Sequence, residues 1–494
     1  MRADVRKLGL GMVSAAALSA CAVGPNFHAP APPQTTHYTR APEPAGTVAA
    51  EGRGGAAQTL IADRDIPADW WTLFHCAPLD TLVRQSLTDN PTVQAASATL
   101  RNAAETWRAE RGGLLLPSVD AKATAQRSKE PGAVLGQPGL PPVTFSLFNA
   151  SVAVTYQLDL FGASRRQIEA LHAQTDFQRF ELEAAYLTLA GNVVTTAVNI
   201  ASLHAQITAL TEIIASEHDQ MKVVQRQFDA GAASRSDVLA QQTQVASNEA
   251  LLPGLQKQLF QSQHRLAVLA GRTPDDTGLP DFTLEELTLP SELPLSVPAK
   301  LVRQRPDVQA AESLLHQSTA QLGVATANLY PQLNLTGSIG SETIAASDLF
   351  KSGTGAWNIG GSLLQPLFHG GELRGLRRAA RADLDRATAQ YRQVVLSALQ
   401  DVADTLRALE ADAGTLQADT TTETDAHDAL AITKLQYQAG GVSYLALLNA
   451  QRTYLQARQV RIQAEAARYA DTAALFQALG GGWWNRDNGK ESRE

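Results

Sequence analysis

Cysteine, aromatic residues and positive charge are all scarce in this sequence. Two cysteines in 494 residues exclude a framework of disulfides. Aromatic residues make up 6% of the chain, so it has few of the bulky side chains that fill a compact core. Lys and Arg number 41 against 49 Asp and Glu, which gives a formal net charge of −8. This balance removes the electrostatic basis for non-specific binding to nucleic acid, so we expect no nucleic-acid partner.

The sequence also lacks the signatures of catalysis and metal binding. Its 10 histidines are scattered, and none belongs to a His-Glu-x-x-His pair. Glu423 and His427 are four residues apart on a predicted helix, where a surface pair explains them better than two metal ligands. There is no Gly-x-Ser-x-Gly elbow and no phosphate-binding Gly-Lys-Ser/Thr loop. We therefore predict that the protein is not an enzyme and has no cofactor or metal.

Long hydrophobic runs are absent after residue 20. No later segment holds about 18 consecutive apolar residues, so no transmembrane helix is predicted. Any part that spans a membrane would have to consist of strands closed into a barrel. Residues 1–20 combine a charged start with a short run of apolar and small residues, which is typical of a signal peptide.

The end of this signal peptide, Leu18-Ser19-Ala20-Cys21, resembles a bacterial lipobox. The resemblance implies that Cys21 is acylated and becomes the new N-terminus. Ala22 follows in place of an Asp that would resemble an inner-membrane retention signal, so outer-membrane sorting is implied. The alternative is an ordinary signal peptide with a chance cysteine. Cys76 is then left unpaired, as a buried or incidental thiol.

The sequence is duplicated. Residues 91–96, 116–119, 158–162 and 228–242 recur in the same order as residues 306–311, 330–333, 365–370 and 437–451. Chance similarity explains one such match but not four in order, so we infer a tandem repeat. The predicted organisation is a signal peptide (1–20), a lipidated extended segment (21–75), a first repeat (76–290), a second repeat (291–482) and a C-terminal tail (483–494).

Each repeat has the same predicted order of elements. A helix (about 78–113 and 298–328) is followed by a proline-initiated strand, a Gly/Pro/Ser loop, a second strand and two long helices separated by a glycine turn. The strands alternate apolar and polar residues, as in Val119, Ala121 and Ala123 against Asp120, Lys122 and Thr124. Such strands suit an outer-membrane barrel, and three copies would supply twelve. The alternative is a pair of soluble hairpins on a small core.

The long helices carry an apolar stripe with coiled-coil spacing. If the first one runs from Ala163 to about Asp229, its rise of ~1.5 Å per residue gives a length of roughly 100 Å. Pro253 and Gly254 predict a break in the returning helix. The stripe residues are Leu182, Tyr186, Leu189, Val193, Thr196, Ile200, Leu203, Ile207, Leu210 and Ile214 in the first repeat, and Tyr391, Val395, Ala398, Val402, Leu406, Leu409, Ala413 and Leu416 in the second.

Together with the lipobox and the duplication, four stretches carry a resemblance to a known family: residues 70–74 (WWTLF), 185–194 (AYLTLAGNVV), 301–308 (LVRQRPDV) and 478–483 (ALGGGW). Over essentially the whole mature chain, the sequence resembles the TolC-type outer-membrane factors, in the NodT-like branch of outer-membrane efflux lipoproteins. The resemblance implies a mainly α fold with transmembrane β-strands. In that fold, a homotrimer forms a twelve-stranded β-barrel in the outer membrane that continues into a twelve-helix periplasmic α-barrel. It also implies a periplasmic adaptor and an inner-membrane resistance-nodulation-division transporter as partners, with export of drugs or toxic metabolites.

The resemblance further implies a periplasmic gate at the turns between the long helices. Leu445 stands where a gate leucine is expected, with Tyr437 and Ala446 close by. Asn449 replaces an aspartate that is common in relatives, which puts an acidic, cation-selective ring in doubt. Asp237 has either a gate role or, more commonly, a helix-capping role near Ser236. Gly231, Gly440 and Gly441 fit the turns themselves.

Other interpretations stay open at this point. Asp401 and Asp404 either line the duct or lie on a solvated outer face. The chain is alternatively the duct of a type I protein-secretion system, which shares the fold. A structural coiled-coil surface lipoprotein would share the heptads and the lipid, but it has no use for amphipathic hairpins. The transported substrate is not encoded in any feature of the sequence.

Overall fold

We describe the protein from a computed structural model, which defines residues 22–131, 139 and 141–486. The signal peptide, Cys21, most of the predicted loop after residue 131 and residues 487–494 lie outside these ranges. The helices are α1 (Ala77–Asp89), α2 (Pro91–Leu115), α3 (Ala163–Asp229), α4 (Arg235–Glu249), α5 (Leu252–Leu269), α6 (Pro298–Gln304), α7 (Pro306–Ala327), α8 (Glu372–Gln438) and α9 (Tyr444–Ala478). The strands are β1 (Thr59–Ala62), β2 (Ser118–Glu130), β3 (Val143–Leu158), β4 (Glu292–Leu295), β5 (Gln332–Thr343) and β6 (Gly355–Leu364).

The helix predicted at the start of each repeat is in fact two helices. Asn90 separates α1 from α2, and Arg305 separates α6 from α7, each in an extended conformation with ψ of 124° and 125°. The next residue in each case is a proline, whose ring disfavours helical geometry in the residue before it. The prediction of a single helix was therefore wrong at the same point of both repeats.

Four strands form an antiparallel sheet in the order β2-β3-β5-β6, and β1 and β4 form a separate parallel pair. Val119, Val154, Gly337 and Ile359 lie opposite one another across the four strands. Because this register is continuous, the apolar residues predicted on each strand all lie on the same face. That face is exposed, and Ile359 is 83% accessible. The predicted alternation is confirmed, and the apolar face has no covering layer within the described chain.

The long helices match the heptad prediction closely. From Leu189 to Ile214 the stripe of α3 is buried, apart from a half-buried Ile207, and every predicted stripe residue of α8 is buried. An 18-residue window of α3 is apolar enough to cross a membrane by length and composition, but 67% of it is buried, as in the core helix of a bundle. The predicted break falls between α4 and α5, just before Pro253. Proline is accommodated in the first turn of α5, where its fixed φ suits helix initiation.

The chain divides into two compact units that cut across the repeats. Among the described residues, the sheet unit contains Ala22–Pro30, Thr99–Gln178 and Ala311–Tyr391. The helical unit contains Ala31–Ala98, Arg179–Ala310 and Arg392–Arg486. Each repeat therefore contributes two antiparallel strands to the sheet unit and most of its long helices to the helical unit.

The core of the helical unit is built around aromatic residues. Trp70 is 1% exposed and stacks on Phe476 at a centroid distance of 5.3 Å, and Phe74 and Tyr469 are buried beside them. The predicted free cysteine, Cys76, is unpaired and buried, and burial raises the pKa of its thiol. The predicted tail begins with a packed turn, in which Trp483 Nε1 donates a hydrogen bond to the carbonyl of Gln304 at 2.7 Å.

A buried arginine fastens the N-terminal segment to this core. Arg468 is fully buried, and its guanidinium donates to the carbonyl of Gly54, to Thr47 Oγ1 and to Gln58 Oε1 at 2.9–3.0 Å. Gln58 is also fully buried and donates to the carbonyl of Pro290. Burial lowers the pKa of Arg468. Residues 47–58 of the extended segment are therefore fixed on the helices, and we call them the strap.

We predict that Arg468→Ala destabilises the protein by about 3 kcal/mol, because it leaves buried acceptors on the strap without a donor. Urea unfolding of the detergent-solubilised protein, followed by circular dichroism, measures the change. The control is Arg458→Ala, which removes a partly exposed ion pair to Glu212 and should cost less than about 1 kcal/mol. Equal losses in the two variants would contradict the role given to Arg468.

Candidate functional site

Two glycine turns join the long helices at one end of the helical unit. In the first turn, Gly231 has a φ of 76°, and in the second turn Gly440 has a φ of 75°. Both values lie in the left-handed region that glycine adopts at little cost. Gly441 follows without a left-handed φ, and its N–H donates to the carbonyl of Gln436 at 2.8 Å. The turns therefore close the ends of α3 and α8 in the same way.

The residues after each turn cap the returning helix. Ser234 is the N-cap of α4, and a reciprocal hydrogen bond with Asp237 completes a capping box. Ser443 is the N-cap of α9, and its hydroxyl accepts from the N–H of Ala446 at 3.3 Å. Asp237 thus has the capping role, with Ser234 as its partner rather than Ser236. Ala446 occupies the corresponding position in the second turn, where the capping carboxylate is missing.

A hydrophobic cluster packs the two turns together. Its buried members are Val224, Val238, Tyr444, Leu447 and Leu448, and Phe228 and Tyr437 pack against them. The Tyr437 hydroxyl donates to Gln227 Oε1 at 3.0 Å, and the Tyr444 hydroxyl donates to Gln241 Oε1. Burial raises the pKa of both phenols, so both stay neutral at physiological pH. Tyr437, predicted near the gate, therefore joins the turns to each other.

Leu445 and Asn449 lie on the other side of α9 from this cluster. Leu445 is 63% exposed although it directly follows the buried Tyr444. Asn449 is also exposed, one helical turn further along. Two residues four apart share one helix face. The structure thus brings the predicted gate leucine and the asparagine together on an uncovered surface.

Asp401 and Asp404 lie beside a cavity of about 450 Å³ within the helical unit. Asp401 accepts a hydrogen bond from Arg305 at 2.9 Å, and Arg305 also binds Asp307 and the carbonyl of Ala478. Asp404 accepts from Gln400 at 3.2 Å. One of the two predicted acidic groups, Asp401, is therefore paired with an arginine that it shares with Asp307.

The sequence analysis missed a buried carboxylate near the turns. Glu217 is 1% exposed, and its two oxygens accept from Asn248 Nδ2 at 2.8 and 2.9 Å. Burial raises the pKa of Glu217. Its burial could have been predicted from its position, because Glu217 continues the heptad stripe three residues after Ile214. A charged residue at a core heptad position indicates a buried polar contact.

A second missed feature joins α8 to α9. Asp471 of α9 lies near Asp412 of α8, and both side chains are half-buried. Burial, together with the neighbouring Asp412, raises the pKa of Asp471 to about 7. No local pattern marks this pair, because the two residues meet only when the helices pack.

The repeated hairpins and long paired helices, together with the exposed apolar sheet, define a TolC-like outer-membrane channel. The chain belongs to the outer membrane efflux protein family, whose model matches residues 82–272 and 297–481. The predicted family, fold class and outer-membrane location are confirmed. The members of this family are channel proteins.

Individual relatives cover nearly the whole chain. The antibiotic efflux pump outer membrane protein ArpC of Pseudomonas putida is 28% identical, over 96% of this chain and 95% of its own length. Nodulation protein T of Rhizobium leguminosarum bv. viciae is 29% identical, over 94% and 92%. Among solved structures, the outer-membrane channel OprN has a TM-score of 0.84 at 28% identity, covering 94% of this chain and 100% of that one. The open state of the Neisseria gonorrhoeae MtrE channel has a TM-score of 0.78 at 25% identity, covering 94% and 99%.

We predict that Asp471→Asn stabilises the protein at pH 8. Folded Asp471 holds its proton up to a pH of about 7, whereas an unfolded aspartate releases it near 3.8. The contribution of Asp471 to wild-type stability therefore falls as the pH rises from about 4 to about 7, because the folded residue keeps its proton in that window and the unfolded one does not. The asparagine variant lacks this loss, so its advantage in melting temperature should grow across the same window. Parallel pH profiles for the two proteins, measured alongside the exposed Asp425→Asn as a control, would argue against the raised pKa of Asp471.

Proposed function

We propose that this chain is the outer-membrane exit channel of a tripartite efflux pump that exports small molecules, and that it works as a homotrimer. The observation that carries the proposal is the exposed apolar face of the sheet, whose strands run directly into two helices of 67 residues each. Strands of this kind suit a bilayer, and helices of this length suit a duct across the periplasm. Four strands per copy are too few for a lumen, and three copies supply twelve.

The proposed partners are a periplasmic adaptor and an inner-membrane resistance-nodulation-division transporter. Their support is the likeness to ArpC, which is named as part of an antibiotic efflux pump, and to the toluene efflux pump protein TtgC of Pseudomonas putida, which is 27% identical. We propose no enzymatic step for this chain. Transport through a duct needs a lumen, a gate and partners that favour the open state.

The lipid anchor on Cys21 is part of the proposal, and the first residues after it support it. The N–H of Val23 donates to the carbonyl of Phe161 at 3.1 Å, just beyond the end of β3. Gly24, with a φ of 95°, lies so close to Gly323 that a Cβ would be 2.6 Å from the Gly323 Cα. The chain that leaves Cys21 is therefore seated beside the end of the sheet, where an acyl chain reaches the membrane.

The proposed gate is a ring of Leu445 side chains, with Asn449 in a second ring one turn away. The support is the exposed face that these two residues share beside a tightly packed turn. An apolar ring impedes water and ions because they lose hydration without compensation. A rigid turn keeps such a ring narrow until a partner moves it.

We expect Leu445→Ala to raise the ion conductance of the protein in planar bilayers several-fold, because it widens the apolar ring. The control is Leu435→Ala, the same change at a leucine that is 66% exposed on α8, and it should leave the conductance low. Silence from Leu445→Ala, given correctly folded oligomers, would count against a gate at this turn. Silence from every variant, with and without the adaptor, would count against a channel.

Asn449→Asp tests the second ring. The substitution adds one carboxylate per copy to a narrow passage, so we expect a shift of the reversal potential toward cation selectivity in a salt gradient. Asn449→Gln keeps the ring neutral and serves as the control. If the aspartate variant has the selectivity of wild type, Asn449 does not face the conduction path.

A further inference from the structure

The helices that adjoin the four-stranded sheet all meet it at one end. β2 follows α2 and β5 follows α7, whereas β3 leads into α3 and β6 leads into α8. The opposite end, which we call the outer end, is where residues 131–142 and 344–354 connect the strands. Because the long helices of the proposed channel extend into the periplasm, the outer end faces the cell exterior. A side chain that points to lipid at this end meets the outer leaflet of the membrane.

The charged side chains of the strands divide by face. Gln126 Nε2 donates a hydrogen bond to Ser128 Oγ at 2.9 Å, so these two side chains lie on the same face. Arg127 and Lys129 alternate with them and therefore lie on the other face, which is the exposed apolar face of Val119. The apolar face thus carries positive charge alone. The other charged residues of the four strands lie on the polar face: Asp120, Lys122, Glu130 and Glu342.

The two basic residues come directly after the apolar part of β2. Ala125 lies opposite Phe148, which is the last apolar pair on this face. Lys129 is ten residues beyond Val119, which is ~33 Å along a strand and ~25 Å along the membrane normal if the strand tilts by ~40°. The apolar band of an outer-membrane barrel is ~25 Å tall. Lys129 is therefore expected at the boundary where hydrocarbon ends and lipid headgroups begin.

Arg127 and Lys129 have no anionic partner within the described chain. Both are exposed, and the side chain of neither forms an ion pair or a hydrogen bond with a described residue. Residues 131–142 contain no acidic residue, and Asp348, in the other connection at the outer end, binds Lys351 at 2.6 Å. Side chains two residues apart on a strand are ~7 Å apart, so the two positive charges repel each other. An anion that binds both would remove this repulsion.

Phosphate is the anion that such a pair fits best. A guanidinium binds two phosphate oxygens side by side, and an ammonium adds a further charge-assisted hydrogen bond. Basic residues at the edge of a membrane bind anionic lipid headgroups. The outer leaflet of a bacterial outer membrane consists mainly of a glycolipid whose membrane-embedded part, lipid A, carries phosphate groups at the hydrocarbon boundary. The position and the charge of the pair therefore match the same lipid.

We propose that Arg127 and Lys129 form a phosphate-binding site for lipid A of the outer leaflet. The two side chains bind the phosphate groups, and the acyl chains lie along the apolar face beside Ala125 and Phe148. The inference rests on the proposed function, because the outer end faces the outer leaflet only if the helices extend into the periplasm. It goes beyond that function by assigning a specific lipid to one part of the exposed apolar face.

Lipid binding to the detergent-solubilised protein tests the site. In native mass spectrometry, bis-phosphorylated lipid A should bind about 20-fold more weakly to Arg127→Gln/Lys129→Gln than to wild type, since each basic residue near an anionic surface contributes roughly a factor of five. The control is Lys122→Gln/Lys257→Gln, which removes the same charge from the polar face of β2 and from α5, and should bind like wild type. Equal weakening in both double variants, or none in the first, would overturn the site.

Two further lipids identify the source of the phosphate. Dephosphorylated lipid A should bind wild type no more tightly than it binds Arg127→Gln/Lys129→Gln, because only the acyl chains then contribute. Phosphatidylglycerol, compared at equal phosphate concentration, should bind wild type more weakly than lipid A does. If phosphatidylglycerol binds as tightly as lipid A, the site takes any anionic phospholipid and its assignment to the glycolipid is wrong.

Conductance separates this inference from the proposed function. The conductance of Leu445→Ala in phospholipid bilayers should be the same with and without Arg127→Gln/Lys129→Gln, because the lipid site does not face the lumen. If neither wild type nor Leu445→Ala forms a channel, the proposed function fails. If channels form but wild type binds lipid A and its dephosphorylated form equally, the channel stands and the phosphate site is wrong.

Discussion

Unpaired peptide groups are not tolerated in hydrocarbon, and that constraint governs this molecule. Each strand edge left open in a bilayer exposes N–H and C=O groups at a cost of several kcal/mol per group. The sheet ends in two such edges, β2 and β6, and one of its faces is apolar and uncovered. Within the described residues, neither edge has a further strand to pair with. The proposed assembly of several copies would remove both edges.

Most of this architecture can be predicted from the sequence, because the buried residues recur at regular spacings along the strands and helices. A period of two fixes the faces of the strands, and a spacing of three and four fixes the seams of the long helices. The stripe from Tyr391 to Leu416 is buried throughout, as the spacing predicts. Because the sequence is duplicated, each element is predicted twice, and the pattern in one repeat checks the pattern in the other. The glycine turns follow from local chemistry, since Gly231 and Gly440 adopt the left-handed φ that other residues avoid.

The features that could not be predicted from the sequence depend on contacts between residues far apart in the chain. The strap is fixed by Arg468, which meets Gly54 and Gln58 across more than 400 residues. Asp412 and Asp471 come together only after α8 and α9 have packed, so the raised pKa of Asp471 has no local sequence signal. The proposed gate could be predicted in part. The resemblance indicates Leu445 and Asn449, and the structure shows that they share an exposed helix face. The rest of the proposed ring would come from other copies of the chain. The split of the first helix in each repeat does have a local signal, because Pro91 and Pro306 disfavour helical geometry in the residue before them.

The contact between Gly24 and Gly323 sets the geometry of the anchor. Three peptide steps separate Cys21 from Gly24, and a fully extended chain advances at most ~3.5 Å per residue, so an acylated Cys21 stays within about 10 Å of a fixed point on the sheet unit. Any side chain at residue 24 would displace that point, because its Cβ would overlap the opposing helix. Under the proposed acylation of Cys21, the lipid would be a short tether that holds the sheet unit at one depth in the membrane. Any assembly of copies would then be a search in two dimensions rather than in three.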